Sequence, residues 1–416
     1  MNKKDYIILA ALASIALVLY GYQLHFPPEK YFDEVYHVDN ARAIIQHKGY
    51  VDVHPPLGKE IIAINILHFG DTSWVWRLSG MLFGVGALVL LYLIPAVLLR
   101  KRLIGIFSCF LYLFDGLCFT TARIALLNTN CAFFMLLAIF FLIQYYPLGK
   151  WPRRRAFFAS GASFGLLMST KWFGILLVPV LGLWLFNDFW KARDKGRYLV
   201  DAVCGFMAIP LVIYVIAYIP VAQMNTQSFL EQLKYIWREQ VNTWNYEKNL
   251  TVTHTYQSQW WQWPFLLRPI WYYFQGVGNN MVRGIIALGN PAIFVFIFPG
   301  LLYALYKFFF GGTAQKHLGL FCYIAIAGFV FHYLPWAVQP RATIFFNYFY
   351  FSLIFALMAE ALLLYDIYQS HWIGKVIVLL ILAVILALFV YFLPLLNGSP
   401  ISDPAFRQRM WLKSWI

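Results

Sequence analysis

Two acidic residues stand together at Tyr31-Phe32-Asp33-Glu34-Val35-Tyr36-His37, just past an apolar run of some twenty residues. A carboxylate at that depth, level with lipid headgroups, can take the proton from an acceptor hydroxyl. Asp33 is equally well placed to cap the helix that follows, with Glu34 in its first turn. The two roles are compatible. Further along comes Asp52-Val53-His54-Pro55-Pro56-Leu57-Gly58-Lys59. His54 either braces the double-proline turn or meets a substrate. Lys59 either snorkels to water or offers its ammonium to an anion. Three more cations recur at the ends of apolar runs: Arg123 after Thr120-Thr121-Ala122, Lys171 after Ser169-Thr170, and Arg341 after Pro340. Arg123 has two partners in prospect, Asp115 one to two turns back or a lipid phosphate. Guanidinium groups bind phosphate oxygens in a fork, so these cations suit a phosphorylated lipid.

The elements that must position these groups are membrane helices. Of 416 residues, 61% are hydrophobic and only 12% charged, against about 25% charged in an ordinary soluble domain. So little charge excludes a soluble globular enzyme and a disordered chain. Aromatic residues reach 20%, with 16 Trp and 27 Tyr, as interfacial belts require. The net charge of +14 comes in short basic clusters between apolar runs, the positive-inside pattern rather than a nucleic-acid surface. The five cysteines all fall in apolar runs without metal spacing and read as packing residues.

Eleven stretches are long and apolar enough to be candidate spans: 6–24, 77–98, 103–120, 129–146, 157–170, 172–187, 199–219, 284–307, 319–336, 342–365 and 373–395. The fifth and sixth nearly touch and read as a broken hairpin, so the range is nine to eleven. The first lacks a small-residue cleavage site and reads as an uncleaved anchor with a cytoplasmic N-terminus. Arg100-Lys101-Arg102, Lys150 with Arg153-Arg154-Arg155, the run from Lys191 to Arg197, Lys307, Lys316 and Lys375 then fall inside, and eleven spans put the C-terminus outside. Two long loops, 25–76 and 220–283, face outward. In the first, Val35, Val38, Ala41, Ile44 and Ile45 recur at helical spacing, an amphipathic helix suited to the interface. A second short helix starts after Pro55-Pro56. The second loop carries Trp237, Trp244, Trp260, Trp261, Trp263 and Trp271, which dock on the membrane or stack on sugars. The chain reads as one membrane-embedded domain, 1–416, that works at its outer face.

Phe32-Asp33-Glu34 and Asp52-Val53-His54-Pro55-Pro56-Leu57-Gly58-Lys59 resemble the first loop of the protein O-mannosyltransferases. Phe114-Asp115-Gly116 through Thr121-Ala122-Arg123 to Leu126-Leu127, then Lys171-Trp172, Gly289-Asn290-Pro291 and Leu334-Pro335-Trp336 with Arg341, resemble later segments of that family in the same order. The resemblance runs from about residue 30 to about 365. It implies an all-α polytopic membrane protein of the GT-C fold, and an inverting transfer of one sugar, mannose first, from a polyprenyl-phosphate carrier to Ser or Thr hydroxyls of secreted or membrane proteins. It implies Asp33 as base with Glu34 in support, and Arg123, Lys171 and Arg341 on the carrier phosphate. His54, Lys59 and Asp115 complete the expected substrate-binding set. The outer loop is too short for the soluble insert of eukaryotic members, so a bacterial-type enzyme of the inner (plasma) membrane is expected, with undecaprenyl phosphate as carrier and a periplasmic or extracellular active site. Asn128 stands where the family usually has Asp, and Asn347-Tyr348 replaces a His-Tyr pair. Some GT-C enzymes hold a divalent ion on acids from two outer loops. Here Asn128 and Asn130 supply no acid, so no metal and no other cofactor is expected. The alternatives are transfer to a lipid or glycan acceptor, and a transporter or lipid flippase. The latter would place polar residues deep in several spans.

Overall fold

The computed structural model describes residues 3–50, 52–146, 148–249, 253–311, 316–339 and 343–416. It is mostly helical. In chain order come α1 (Lys3–Gly21), α2 (Glu34–Ile45), α3 (Leu57–Phe69), α4 (Ser73–Leu98), α5 (Arg102–Leu113), α6 (Gly116–Thr121), α7 (Asn128–Tyr145), α8 (Arg153–Thr170), α9 (Val178–Lys191), α10 (Lys195–Val203), α11 (Ile209–Gln223) and α12 (Phe229–Asn249). Strands β1 (Ile270–Gly276) and β2 (Met281–Ala287) precede α13 (Pro291–Phe294), α14 (Ile297–Phe310), α15 (Lys316–Tyr333), α16 (Tyr350–Ser370) and α17 (Trp372–Asn397), and β3 (Ile401–Ser402) and α18 (Asp403–Arg409) close the chain. Among the described residues, nine helical segments are long and apolar enough to cross a membrane. Each of the eleven expected stretches contains helix. However, 103–120 is broken at Asp115 into α5 and α6, and the start of 284–307 is strand β2 rather than span.

Contacts divide the chain into two units. The first comprises Met1–Phe32, Leu91–Ile124 and Thr251–Ile416. Its sheet has the order β1-β2-β3, antiparallel throughout, with Ile270 opposite Ala287 and Val282 opposite Ile401. Between β2 and β3 the chain runs through four apolar helical segments, and an even number of crossings returns it to the side it left. The basic residues expected inside gather at one end of this unit. Asp5 is buried and pairs with Arg102 and Tyr92. Lys101 lies over the Tyr365 ring, and Lys307 pairs with Asp366 at 2.9 Å.

One ionisable residue lies deep within a span. Glu360, in the middle of α16, is buried, and neither carboxylate oxygen has a hydrogen-bond partner among the described residues. Gly300 of α14 packs on it so closely that a Cβ there would come within 2.9 Å of the Glu360 backbone.

The second unit comprises Asp33–Leu90 and Ala125–Leu250. The amphipathic helix read from the sequence is α2. It turns Val38 and Ala41 onto Ile62, Ala63 and Ile66 of α3 and onto Val75 and Trp76 of α4. The proline-led helix is α3, with Pro56 at its N-cap. Helices α7 and α8 form a long hairpin of 18 residues each, about 27 Å by helical rise. At one end of α8, Arg153 pairs with Asp201 at 2.8 Å; at the other, Lys171 breaks the helix with extended backbone (φ −158°, ψ 135°). The second loop is not a loose connection. It opens with α12, which packs Tyr235 and Ile236 against Tyr218, Val221 and Ala222 of α11 and against Tyr50.

Candidate active site

The chemistry-bearing residues of the second unit lie in three short segments held by buried bonds. Asp33 occupies the N-cap position of α2 with φ −72° and ψ −5°, and its side chain makes no capping hydrogen bond. The capping role expected of it is therefore not what its half-buried carboxylate does. Glu34 is different. It is fully buried, as is Arg77, which donates from Nε to Oε1 at 2.8 Å and from Nη2 to Oε2 at 2.9 Å. The Ala125 amide adds a third bond to Oε1 at 2.9 Å. Glu34 thus ties the start of α2 to α4 and to the backbone before α7, and so fixes the stretch of chain that carries Asp33. Both Glu34 oxygens are engaged in this way. Arg77 was invisible as a site residue in the sequence, where it only opened an apolar run. The signal was its charge at a span end, which demands a partner.

Asp52 and Lys59 form the second segment. The Asp52 carboxylate accepts from the His54 amide at 2.8 Å, lies 3.3 Å from Lys59 Nζ and 3.8 Å from His37 Nδ1. Lys59 is fully buried rather than snorkelling. It donates to the carbonyls of His54 and Pro55, each at 2.8 Å, and sits over the Tyr50 ring. The Tyr50 hydroxyl donates to the same His54 carbonyl at 2.8 Å. The double proline puts these carbonyls in reach without amide donors of its own. Gly58 is required by packing, because a Cβ would fall 2.4 Å from Leu127.

The third segment is the break after α8, where Lys171 Nζ lies 3.5 Å from Asn128 Oδ1 at the start of α7. Its charge is felt by the second segment. Burial, then Lys171, push the His54 imidazole well below its usual range. Burial lowers Lys59 to about 8 in spite of Asp52, with Lys171 contributing to the fall. Burial works to raise Asp52, but Lys59, His37 and His54 outweigh it and hold the carboxyl well below the usual range. Glu60, next to Lys59, is pushed up to about 7 by burial. The Asp52 carboxylate stands against two ammonium groups, Lys59 and Lys171, which suits an anionic ligand.

A pH dependence follows. The Lys59 ammonium dominates below about 8 instead of about 10.5, so its hold on Asp52 and on two carbonyls is lost as pH rises through about 8. Activity is expected to fall on the alkaline side with a midpoint near 8. Lys59→Arg, charged at every accessible pH, is expected to remove that fall, as pH–rate profiles of the two proteins would show.

In the first unit, Arg123 is buried, donates from Nη1 to the carbonyls of Leu19 and Tyr20 at 3.2 and 2.5 Å, and stands over the Phe119 ring. It thereby satisfies the last carbonyls of α1. The expected Asp115–Arg123 pair is not formed. Asp115 has no cationic partner among the described residues. It caps α6 by accepting from the Cys118 amide at 2.9 Å and accepts from the Asn290 amide at 2.8 Å. Asn290 returns two bonds, to the carbonyls of Phe114 and Ile385. Gly116 closes the knot, since a Cβ would meet the Leu288 carbonyl at 2.2 Å. Phe114-Asp115-Gly116 and Gly289-Asn290-Pro291, 175 residues apart, are therefore one structural unit, with the Asp115 carboxylate bonded into it. Asp115→Ala strips a cap and leaves two buried amides without acceptors, so it is expected to cost about 2–4 kcal/mol, read as a lowered midpoint in thermal unfolding. Arg341 lies outside the described residues.

The fold so described, spans joined by helical outer loops, is that of the GT-C glycosyltransferases. The chain matches over its whole length the yeast protein O-mannosyltransferase Pmt1–Pmt2 complex bound to the sugar donor, with a TM-score of 0.85, 16% identity and 93% of that chain covered. It also matches ArnT from Cupriavidus metallidurans bound to undecaprenyl phosphate, with a TM-score of 0.62, 16% identity, and 93% of this chain and 64% of the other covered. Residues 64–224 match the family model for dolichyl-phosphate-mannose-protein mannosyltransferase, and residues 232–415 match the model for the C-terminal four-span region of protein O-mannosyltransferase. The polyprenol-phosphate-mannose–protein mannosyltransferase of Mycolicibacterium smegmatis is 26% identical over 98% of this chain and 92% of its own, and that of Mycobacterium tuberculosis 25% identical over 92% and 86%. The chain belongs to the protein O-mannosyltransferase family.

Proposed function

We propose that this protein transfers mannose from a polyprenyl-phosphate carrier to Ser or Thr hydroxyls of proteins, with inversion at the anomeric carbon. The observation that carries the reading is the start of α2, where Asp33 stands at the N-cap position without making the capping bond and Glu34 beside it is bonded to Arg77 and to the Ala125 amide. Glu34 fixes the position from which Asp33 acts. Asp33 takes the acceptor proton as the hydroxyl attacks the sugar. The carrier phosphate leaves against cations, for which Lys171, Arg123 and Arg341 are the assigned contacts, with Lys59 and His54 shaping the anion site. Relatives named for polyprenol-phosphate mannose and proteins support both the donor and the acceptor class.

The protein sits in the inner (plasma) membrane with its N-terminus cytoplasmic and its site on the outer face. The gathering of Asp5, Lys101, Arg102 and Lys307 at one end of the first unit supports this orientation. Transfer proceeds without a divalent ion. Glu34 has no oxygen to spare for one, and Asn128 and Asn130 carry no charge. The test is a reaction of purified protein with defined polyprenyl-phosphate sugars and a Ser/Thr-rich peptide, with the product read by mass spectrometry. A peptide heavier by one hexose, from the mannose donor and in the presence of a chelator, is the expected product. Modification of a lipid or glycan but no peptide would overturn the acceptor, and loss of product on chelation would overturn metal independence.

A further inference from the structure

The Lys171 ammonium can serve a phosphate only if the break that presents it is fixed, and Lys171 itself has extended backbone between an α-helix and the 3-10 turn Trp172–Leu177. Its backbone amide donates to Leu167 and its carbonyl accepts from Gly174, which set the turn but not its direction. The next residue does that. Trp172 Nε1 donates to the Tyr214 hydroxyl of α11 at 2.9 Å. The Tyr214 hydroxyl donates in turn to Gln240 Oε1 of α12 at 2.5 Å, and Gln240 Nε2 donates to the Ile236 carbonyl at 2.7 Å. Tyr214 is used in both senses, accepting from Trp172 and donating to Gln240, so a turn of any one of the three breaks its bond to the next. The same helix α12 seats Tyr235 and Ile236 against the cluster that includes Tyr50, whose ring underlies Lys59.

We infer that Tyr214 and Gln240 are positioning residues for the donor phosphate: through Trp172 they hold Lys171 in place, making α12 a strut of the anion site rather than a passive outer-loop helix. This rests on the proposed assignment of Lys171 to the carrier phosphate. The strut acts before chemistry, on donor binding, so its loss raises KM for the donor and spares kcat.

The experiment measures donor KM and kcat for the purified full-length protein with polyprenyl-phosphate mannose. Tyr214→Phe, which removes one oxygen and keeps the ring, is expected to raise donor KM about tenfold with kcat within about twofold. Gln240→Leu is expected to do the same, and Gln240→Glu, which keeps an acceptor for Tyr214, to restore most of the loss. With Lys171→Met already in place, Tyr214→Phe is expected to add less than about twofold, because the group it positions is gone. An unchanged KM in Tyr214→Phe alongside a raised KM in Lys171→Met overturns the strut and leaves the phosphate assignment standing. An unchanged KM in Lys171→Met overturns the assignment and the strut with it. Parallel falls in kcat and in folded protein across the Tyr214 and Gln240 variants, with no rescue by Glu, would show a merely structural relay and overturn the proposal.

Discussion

Asp33→Asn lowers kcat by about 10²–10⁴-fold, the range that a positioned general base supplies, and leaves the melting temperature of the protein in detergent close to that of the wild type. The two halves of this expectation have different origins. The rate falls because an amide cannot accept the hydroxyl proton while the rest of the site stays in place. On the capping side stability holds, because Asp33 makes no side-chain capping hydrogen bond and the loss of about 1 kcal/mol that follows removal of a true N-cap does not arise. Asp33→Ala behaves the same way. Measurement of kcat at saturating donor, with thermal melting alongside, separates base from cap: a variant that melts early but turns over normally would assign Asp33 to the cap after all.

The second large effect is on stability. Arg77→Met strands the Glu34 carboxylate, which is fully buried and has its Oε2 bonded to Nη2 of that guanidinium at 2.9 Å. Breaking a buried pair from one side typically costs 3–5 kcal/mol, because a charge without its partner stays in a medium that cannot solvate it. Arg77→Met is therefore expected to unfold at much lower temperature and to yield little active protein. The double variant Arg77→Met with Glu34→Gln removes both charges and is expected to recover a large part of the stability, since the amide of Gln still faces the Ala125 amide through its oxygen. It is not expected to recover full activity, since Asp33 loses the anchor beside it. A double variant no more stable than Arg77→Met would contradict this account of the pair.

How far the fold and site could be read in advance depended on range. The spans were legible because about 20 apolar residues in a row have few uses. Helix α2 was legible because Val38 and Ala41 repeat at helical spacing. The error at 284–290 came from the same signal. Ile285-Ile286-Ala287-Leu288 is apolar on every residue, and a short run of that kind has no period that tells a buried strand from the start of a span. Its pairing with β1 is a hairpin, with Gly276 opposite Val282 and Ile270 opposite Ala287, and the turn residues Gly278-Asn279-Asn280 between the strands were the local signal that went unread.

The site shows the same division. Asp33-Glu34 and the stretch from His54 to Lys59 stood out because polar residues at a membrane edge are costly, and the structure places Asp52, His54 and Lys59 in one bonded cluster with His37. What the sequence could not divide was the labour within a pair. Nothing in the letters Asp-Glu says that the second carboxylate is consumed by an arginine 43 positions on and an amide 91 positions on. Asp115 misled for the opposite reason. Its one evident partner by spacing was Arg123, whereas its real partners are two backbone amides, which every residue but proline possesses and no sequence advertises.

The most direct trial of the central claim, a single carboxylate base driving one-step displacement of a lipid phosphate, is the stereochemistry of the product. Purified protein would be given polyprenyl-phosphate mannose of known anomeric configuration and a Ser/Thr peptide, and the configuration of the mannosyl peptide would be read by NMR from its one-bond carbon–proton coupling. The configuration opposite to that of the donor is the outcome required of Asp33 acting alone on the hydroxyl. The same configuration as the donor would mean two successive displacements through a covalent sugar–protein adduct, and no arrangement of these residues as base and phosphate clamp would survive it.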